Sequence, residues 1–339
     1  MLEDYFSILA RERPARHWLS SCIPAGAPSL EGLSDEMLWE MHSAAMESFR
    51  DAWVEGSEPP PAAGPSLLDL KSALSLHMLA ACHMCERRCG VNRKKGKRGY
   101  CGVGAVSRIA SDFLHFGEEP ELVPSHTLFF SGCTFHCVYC QNWDIALDAH
   151  TGSPADPEYL ATSLREGMRQ GSRNANFVGG NPDPNLHTIL DTIIHLAGDG
   201  KHLPMVWNSN MYTSEEAMRL LEGVMDVYLA DFRYGNDECA CKYSDVEKYF
   251  PVISRNLSIA YRQGEIMLRQ LLLPGHVDCC TARIMAWVAK NVPGIYFNLM
   301  FQYRPEYRAA HYPEIDRRPS AEEKQAAVEA AERYGIALF

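Results

Sequence analysis

Residues Thr127–Asn142, TLFFSGCTFHCVYCQN, decide the reading of this chain. Thr127–Ser131 is a short apolar, β-prone run of strand length. Directly after it come Cys133, Cys137 and Cys140, spaced C-x3-C-x2-C, with Tyr139 before the last of them. A loop leaving a strand can wrap three thiolates at this spacing around one inorganic cluster. A [4Fe–4S] cluster is ordinarily closed by four cysteines. Three from one loop leave one iron open, and an open position separates a reactive metal from a structural one. The competing reading is a closed iron–sulfur or zinc site with a remote fourth ligand.

On the C-terminal side, short apolar runs alternate with helical stretches. The runs are Thr127–Ser131, Ala175–Val178, Pro204–Trp207, Val227–Ala230, Met267–Leu273 and Ile295–Met300. The expected helices are Pro157–Gln170, Pro184–Ala197, Ser214–Glu222, Ser244–Gln263, Cys280–Asn291 and Ser320–Tyr334. Such alternation implies an α/β fold with a parallel sheet and helical crossovers. Six units are too few for a closed eight-fold barrel, so an open, partial (β/α)6 TIM-like barrel is expected. Chemistry in such folds collects where strands end and helices begin. That rule selects the tails Gly132–Asn142, Gly179–Asn185, Asn208–Tyr212, Asp231–Tyr243, Pro274–Cys280 and Gln302–Tyr303.

On the N-terminal side, residues up to about Trp53 read as helical, with a capping start at Ser34 and apolar residues from Met37 to Phe49 at helical intervals. Val54–Ser66, VEGSEPPPAAGPS, has the Pro, Gly and Ser density of a linker. Leu67–Leu79 is a second helical stretch. It leads into Cys82, Cys85, Cys89 and Cys101, spaced C-x2-C-x3-C-x11-C. Four thiolates within twenty residues can close a tetrahedral zinc or iron site or hold a second Fe–S cluster. A structural role beside the barrel is the simpler reading; the alternative is an auxiliary centre that binds substrate or relays electrons. The division expected is a helical extension and linker over 1–66, a Cys-rich metal-binding segment over 67–126, and the barrel over 127–339.

Composition narrows the class. The 339 residues are 46% hydrophobic, enough for one large domain and a smaller appendage. A net charge of −11 argues against nucleic acid, because phosphate neutralisation needs a basic face. Arg93–Arg98, RKKGKR, is a local exception that reads first as a solvated loop. No run is long and apolar enough to span a bilayer, and the N-terminus has no signal-peptide core, so a cytoplasmic protein without membrane partners is expected. Twelve cysteines at short fixed gaps in a long, cytosolic-looking chain read as metal ligation rather than a disulfide scaffold.

With GCTFHCVYCQN, and the phrases CGVNR, FLHFGEEP, DVYLADFRY, LLLPG and FNLMFQYRPEY, the stretch from Cys82 to the C-terminus resembles the radical S-adenosylmethionine (SAM) superfamily. Within it, the resemblance is to the pyruvate formate-lyase activating enzyme-like group. It implies that Cys133, Cys137 and Cys140 ligate a [4Fe–4S] cluster whose open iron is chelated by SAM. Tyr139 would lie near the adenine, with Asn142 in the same cofactor loop. Gly179, Gly180 and Asn181, with Pro182, match the family's GGEP segment. Asn181 stands where the family has Glu, so the backbone contact is what the match carries. Asn208, Ser209 and Asn210 fall where ribose and carboxylate contacts are expected. Asp231 and Arg233 match an Asp-x-Lys pair; Arg is a planar, permanently charged substitute suited to a carboxylate.

The resemblance implies reductive cleavage of SAM to a 5′-deoxyadenosyl radical that takes hydrogen from a substrate, and a one-electron donor such as ferredoxin or flavodoxin. The leading expectation is modification of a protein or peptide residue, glycyl-radical activation included. The second is carbon methylation of a protein residue with cobalamin as methyl carrier. The third is a non-catalytic iron–sulfur or zinc scaffold. Weaker signals are Cys239 in the tail of the fourth strand, and Cys279 and Cys280 after the Pro274-Gly275 turn. A thiol there could donate hydrogen, bind metal or attack a substrate, or simply pack. Tyr303, Tyr307 and Tyr312 read as a substrate lip or as capping of the barrel bottom.

Overall fold

The alternation along the chain is realised as one eight-stranded sheet. The computed structural model describes residues 2–339. The strands are β1 (Arg108–His115), β2 (Ser125–Phe130), β3 (Ser153–Pro154), β4 (Asn174–Gly179), β5 (Met205–Ser209), β6 (Val227–Asp231), β7 (Glu265–Leu271) and β8 (Tyr296–Met300). From β2 through β4, β5, β6 and β7 to β8, every neighbouring pair is parallel. These six strands are the six units read from the sequence. β1 adds antiparallel to β2, and β3 to β1, so β3 and β8 form the two edges and the barrel stays open.

Helices α1 (Glu3–Leu9), α2 (Arg16–Cys22), α3 (Asp35–Glu55) and α4 (Leu67–Met78) precede the sheet. The short α5 (Trp143–Ala146) follows the cluster loop. The crossovers and the terminal helix are α6 (Pro157–Arg169), α7 (Leu186–Leu196), α8 (Glu215–Leu221), α9 (Asp237–Ser244), α10 (Tyr249–Gln263), α11 (Ala282–Asn291) and α12 (Ala321–Tyr334). Local chemistry sets their ends. The Asp156 side chain accepts from Glu158 N and Pro157 opens α6, which buries Leu160, Ala161 and Leu164. Ser34 caps α3, and Gly56 ends it in the left-handed conformation at φ 66°.

Side chains alternate across the strands, and the two faces differ in kind. Ala175, Phe177, Trp207, Tyr228, Leu268 and Phe297 face the helices in one continuous core. The inward face carries Val206, Val227, Leu229, Met267 and Tyr296 at the N-terminal ends of the strands. Leu2 and Tyr5 of the α1 region and Leu122 complete that inner layer. Tyr5 N donates to Glu265 at 2.9 Å, and Asn174 Nδ2 donates to Tyr5 Oη at 3.0 Å. The first N-terminal helix therefore closes the barrel floor. Above it, the β1–β2 connection inserts Glu118 and Glu119. Arg269 pairs with both, and Asn298 donates to Glu119 at 2.9 Å.

Three expectations are corrected. The helix expected over Ser244–Gln263 is two helices, because Asp245 and Lys248 take left-handed backbone at φ 54° and 49° and end the first before the second begins. Asp237–Ser244, expected as a strand tail, is α9, started by Asn236 accepting from Cys239 N at 2.8 Å. The basic loop is not wholly solvated: Lys94 to Arg98 are exposed, but Arg93 is buried and donates to Gly104 O and Pro184 O, each at 2.8 Å.

Candidate functional site

Gly132 turns the chain out of β2 at φ 88°. A Cβ there would sit 2.4 Å from Val103 Cγ2 and 2.8 Å from Cys101 O, so a residue without a side chain is required. The turn presses the cluster loop against the Cys-rich segment. Arg87 Nε fastens the same contact by donating to Thr134 O at 3.1 Å. Cys133 and Cys137 are buried and Cys140 is half-buried.

The sulfurs are met by hydrogen-bond donors. Phe135 N reaches Cys133 Sγ at 3.4 Å. Cys137 Sγ receives Arg233 Nη1 at 3.0 Å and Ser244 Oγ at 2.9 Å. Burial pushes the Cys133 thiol well above its ordinary pKa and lifts Cys140 to about 12, with Cys137 beside both adding to the rise. Buried thiols surrounded by donors suit a metal that displaces the thiol protons. Tyr139 Oη, Tyr234 Oη and Ser244 Oγ lie in a chain with 2.6 Å links. With sulfur accepting from Ser244, the single hydroxyl protons must run from Tyr139 to Tyr234 to Ser244 to Cys137.

The three thiols line one cavity of about 260 Å³ with Tyr139, Asn142, Gly179, Gly180, Asp231, Arg233, Arg269, Met300 and Gln302. The cofactor residues and metal ligands selected from the sequence that reach this wall come from three strand tails, those of β2, β4 and β6. Gly179 has φ 130°, and a Cβ on it would meet Phe130 O at 2.0 Å; one on Gly180 would meet Gly132 O at 2.4 Å. Both glycines therefore pack on the backbone leaving β2, and both line the cavity. Arg233 Nη2 donates to Asp231 Oδ2 at 2.6 Å. Burial opposes the Arg233 charge, and Cys137 and Asp231 outweigh it, so its pKa rises.

Four other selected residues stand behind that wall or below it. Asn181, Ser209 and Asn210 are tied into a buried network around Asp183. Ser209 Oγ donates to Asp183 Oδ2 at 2.7 Å, Asn181 and Thr213 also bond its carboxylate, and Asn210 Nδ2 donates to Thr134 Oγ1 at 2.9 Å. Burial raises the Asp183 pKa against these donors. Asn208 is buried on the β5 face shared by Val206.

Burial pushes the Cys85 and Cys101 thiols up, and the charges of other cysteines of the segment add to the rise: Cys101 and Cys82 on Cys85, Cys82 and Cys89 on Cys101. Cys82 N donates to Val91 O at 3.0 Å and Gly90 N to Cys82 O at 2.9 Å, which folds the segment back on itself.

Cys239, Cys279 and Cys280 do not line the cavity. They meet one another instead, with their sulfurs all within 4.8 Å. Cys239 is held down at about 4 by hydrogen bonding from Cys280, against its burial, with His276 and Asn236 assisting.

Arg269 and its acidic partners escaped the sequence reading. The signal was a lone cation inside the apolar run Met267–Leu273, which inward-facing alternation with Asp231 on the neighbouring strand explains. Ser244 and Tyr234, which reach Cys137 and Tyr139, carried no signal at all.

Comparison with known proteins places these features. The radical SAM superfamily model matches residues 127–288. Protein MJ0674 of Methanocaldococcus jannaschii is 41% identical over 353 residues, covering 100% of this chain and 99% of that protein. Among solved structures, a radical SAM methyltransferase from Sphaerobacter thermophilus aligns at TM-score 0.47 and 12% identity over 92% of this chain and 94% of that one. Streptococcus suis SuiB bound to precursor peptide SuiA aligns at TM-score 0.45 and 10% identity, over 61% of this chain and 45% of SuiB. No helix among the described residues is long and apolar enough to cross a membrane.

Proposed function

Because this chain belongs to the radical SAM superfamily, we propose that Cys133, Cys137 and Cys140 hold a [4Fe–4S] cluster at which SAM is cleaved reductively to modify a residue of a protein or peptide. The observation that carries the reading is the convergence of these three thiols, the bare Gly179–Gly180 backbone and the Asp231–Arg233 pair on one cavity. Cluster and SAM together supply one-electron cleavage of the sulfonium S–C5′ bond, giving methionine and a 5′-deoxyadenosyl radical that takes hydrogen from the substrate.

The chain's own residues hold and shield that chemistry. Arg233 and Ser244 donate to Cys137 and favour its thiolate. The Gly179–Gly180 backbone lines the cavity, and the absence of side chains lets it pack directly on the backbone that leaves β2, so its free carbonyls are held beside the cluster loop. Asp231 steadies Arg233 and is itself a candidate acceptor for an ammonium group. Tyr139, packed edge-on against Tyr303 at 5.6 Å, is the aromatic wall proposed for the adenine. α1 and the Glu118–Glu119 connection seal the floor, which keeps water and stray C–H donors away from a reactive carbon radical.

The substrate enters at the other end. Trp143 is exposed and stacks on Tyr307 at 5.4 Å, with the Arg308 guanidinium 5.0 Å from the Tyr307 ring. An aromatic and cationic lip of this kind, packed on the cluster loop where Arg308 N donates to Val138 O at 2.8 Å, suits a segment of polypeptide better than a small metabolite. Cys140 is the least buried of the three cysteines, and we assign its side of the loop to the incoming electron from a ferredoxin- or flavodoxin-type donor. Residues 67–126 are assigned as a second metal-binding unit under the loop, on Cys82, Cys85, Cys89 and Cys101, between the 1–66 extension and the barrel.

The test is anaerobic reconstitution with iron and sulfide, reduction with dithionite, and chromatography for 5′-deoxyadenosine in the presence of SAM. The wild-type protein is expected to form it and Cys137→Ala to form none. Turnover at the wild-type rate in that variant sinks the assignment. Mass spectrometry of proteins from cells with and without the gene then tests the substrate class: a mass change confined to one polypeptide supports it, and an unchanged proteome opposes it.

A further inference from the structure

Cys239, Cys279 and Cys280 are drawn together from two chain segments about forty residues apart. Cys239 lies in the first turn of α9, after β6. Cys279 and Cys280 lie in the single π-helical turn Val277–Thr281, after β7. Their three sulfurs lie within 4.8 Å of one another, with Cys279 Sγ 3.9 Å from Cys280 Sγ. In a tetrahedral zinc site with Zn–S bonds of about 2.3 Å, adjacent sulfurs stand about 3.8 Å apart.

The surroundings are arranged to hold these thiols in place. A Cβ on Gly235 would lie 2.7 Å from both Cys279 O and Cys280 O, so only glycine lets the β6 tail approach the π-turn this closely. Asn236 spans the two segments. Its Oδ1 accepts from Cys239 N at 2.8 Å, and its Nδ2 donates to Cys279 O at 2.9 Å. His276 is the N-cap of the π-turn that carries Cys279 and Cys280. Its Nδ1 is 2.6 Å from Pro274 O. A backbone carbonyl on Nδ1 keeps a proton on that nitrogen and fixes the ring beside the turn.

We propose that Cys239, Cys279 and Cys280 form a further metal centre for a tetrahedral, thiophilic divalent ion, zinc in the first instance, with the fourth position open to water or an incoming ligand. Soft thiolates select zinc or ferrous iron over hard, oxygen-seeking cations. Binding displaces the thiol protons to solvent and requires no change of oxidation state. The ion clasps the β6 and β7 tails to each other. α9 runs from Cys239 at one end to Ser244 at the other, where Ser244 Oγ touches Cys137 Sγ at 2.9 Å. The clasp therefore fixes the helix that supplies a donor to the cluster loop. Its ligands are separate from that loop, so it stands whatever Cys133, Cys137 and Cys140 hold.

Differential alkylation tests it on the full-length protein without any substitution. The chain is purified anaerobically, reduced, stripped with a chelator and divided, and zinc is returned to one half. Iodoacetamide labelling is then quantified at each cysteine by mass spectrometry. Zinc is expected to slow labelling of Cys239 and Cys279 by about tenfold or more, while Cys241, exposed on the same helix, is labelled alike in both halves. Equal labelling of Cys239 and Cys279 with and without zinc overturns the proposal. In a second arm, the Cys239→Ser/Cys280→Ser double variant is expected to bind one zinc fewer than wild type, with protection of Cys82 and Cys85 retained. Equal zinc content in variant and wild type likewise overturns it. Cobalt substitution gives an independent signature: tetrahedral thiolate bands that are weaker in the double variant support the centre, and identical spectra oppose it.

Discussion

Arg233 donates from Nη1 to Cys137 Sγ at 3.0 Å while its Nη2 is held by Asp231 at 2.6 Å. A fixed cation on a cluster ligand favours the more negative, reduced state of the cluster. Arg233→Gln is therefore expected to lower the cluster's reduction potential by tens of millivolts, about 59 mV being tenfold for a one-electron couple. 5′-Deoxyadenosine formation should slow by a comparable factor, and Arg233→Lys should recover part of the potential but not the second hydrogen bond. An electrochemical titration checks this; an unchanged potential in the Gln variant sinks it.

The Gly179–Gly180 pair makes a steric prediction. Ala at 179 brings Cβ to 2.0 Å from Phe130 O at φ 130°, and Ala at 180 brings it to 2.4 Å from Gly132 O. Both neighbours are backbone, so neither can yield cheaply. Each substitution is expected to cost about 1–3 kcal/mol or more in strain and to abolish 5′-deoxyadenosine formation. Gly198→Ala has nothing within 4 Å and is the control. Thermal unfolding and the SAM assay on the three variants settle it, and full activity in Gly180→Ala would falsify the role given to this backbone.

These two predictions draw on residues that the sequence exposed unevenly. The six parallel strands were legible because Phe129, Val206, Val227 and Met267 lie in short apolar runs bounded by Gly, Asn and Pro. β1 was not: Arg108–His115 is an antiparallel edge with mixed exposure, and RIASDFLH carries no clean apolar period. The cluster cysteines were legible because spacing within one loop is local. The packing of Cys239 on Cys279 was not, because it depends on which two strand tails the sheet makes neighbours. Asn181, Ser209 and Asn210 sat at the right strand ends, yet alternation and the buried Asp183 turned their side chains into a network of their own. Position at a strand end is written in sequence; the direction of a side chain there is decided by its partners.

The barrel floor predicts a stability effect. Arg269 is largely buried between Glu118 and Glu119. Burial pushes Glu119 upward, but Arg269, Asn298 and the local backbone together hold its pKa below the ordinary value. A depressed carboxylate contributes stability that is present above the unfolded pKa and is lost as pH falls through the folded one. Arg269→Met leaves two buried acids without their cation and is expected to destabilise the fold by about 3–5 kcal/mol. The loss should shrink at acid pH, where Glu119 takes up a proton. Urea unfolding at neutral and acid pH measures both; a penalty that grows on acidification would contradict the pairing.

His17 makes the opposite case visible, a base with no partner. It is fully buried in α2, neither ring nitrogen has a hydrogen-bond partner, and burial lowers its pKa to about 3. The unfolded chain takes a proton near the ordinary value of about 6.5, whereas the folded chain does not. Between these two values the unfolded state binds more protons, so stability falls as pH drops below about 6.5 and is level above it. At about 1.4 kcal/mol for each pH unit below the ordinary value, the loss amounts to a few kcal/mol by about pH 4. His187, also lowered to about 3 by burial, acts in the same direction. His17→Leu removes the titration and two unpaired polar atoms, each worth about 1–3 kcal/mol when buried. The variant is expected to match or exceed wild type at about pH 7.5 and to lose less stability between about pH 7 and pH 4, with the remaining slope shared by the other buried histidines, His42, His126, His136 and His187, and opposed by Asp226, which burial raises to about 7. Parallel stability curves for variant and wild type across that interval would show that His17 is not the group responsible.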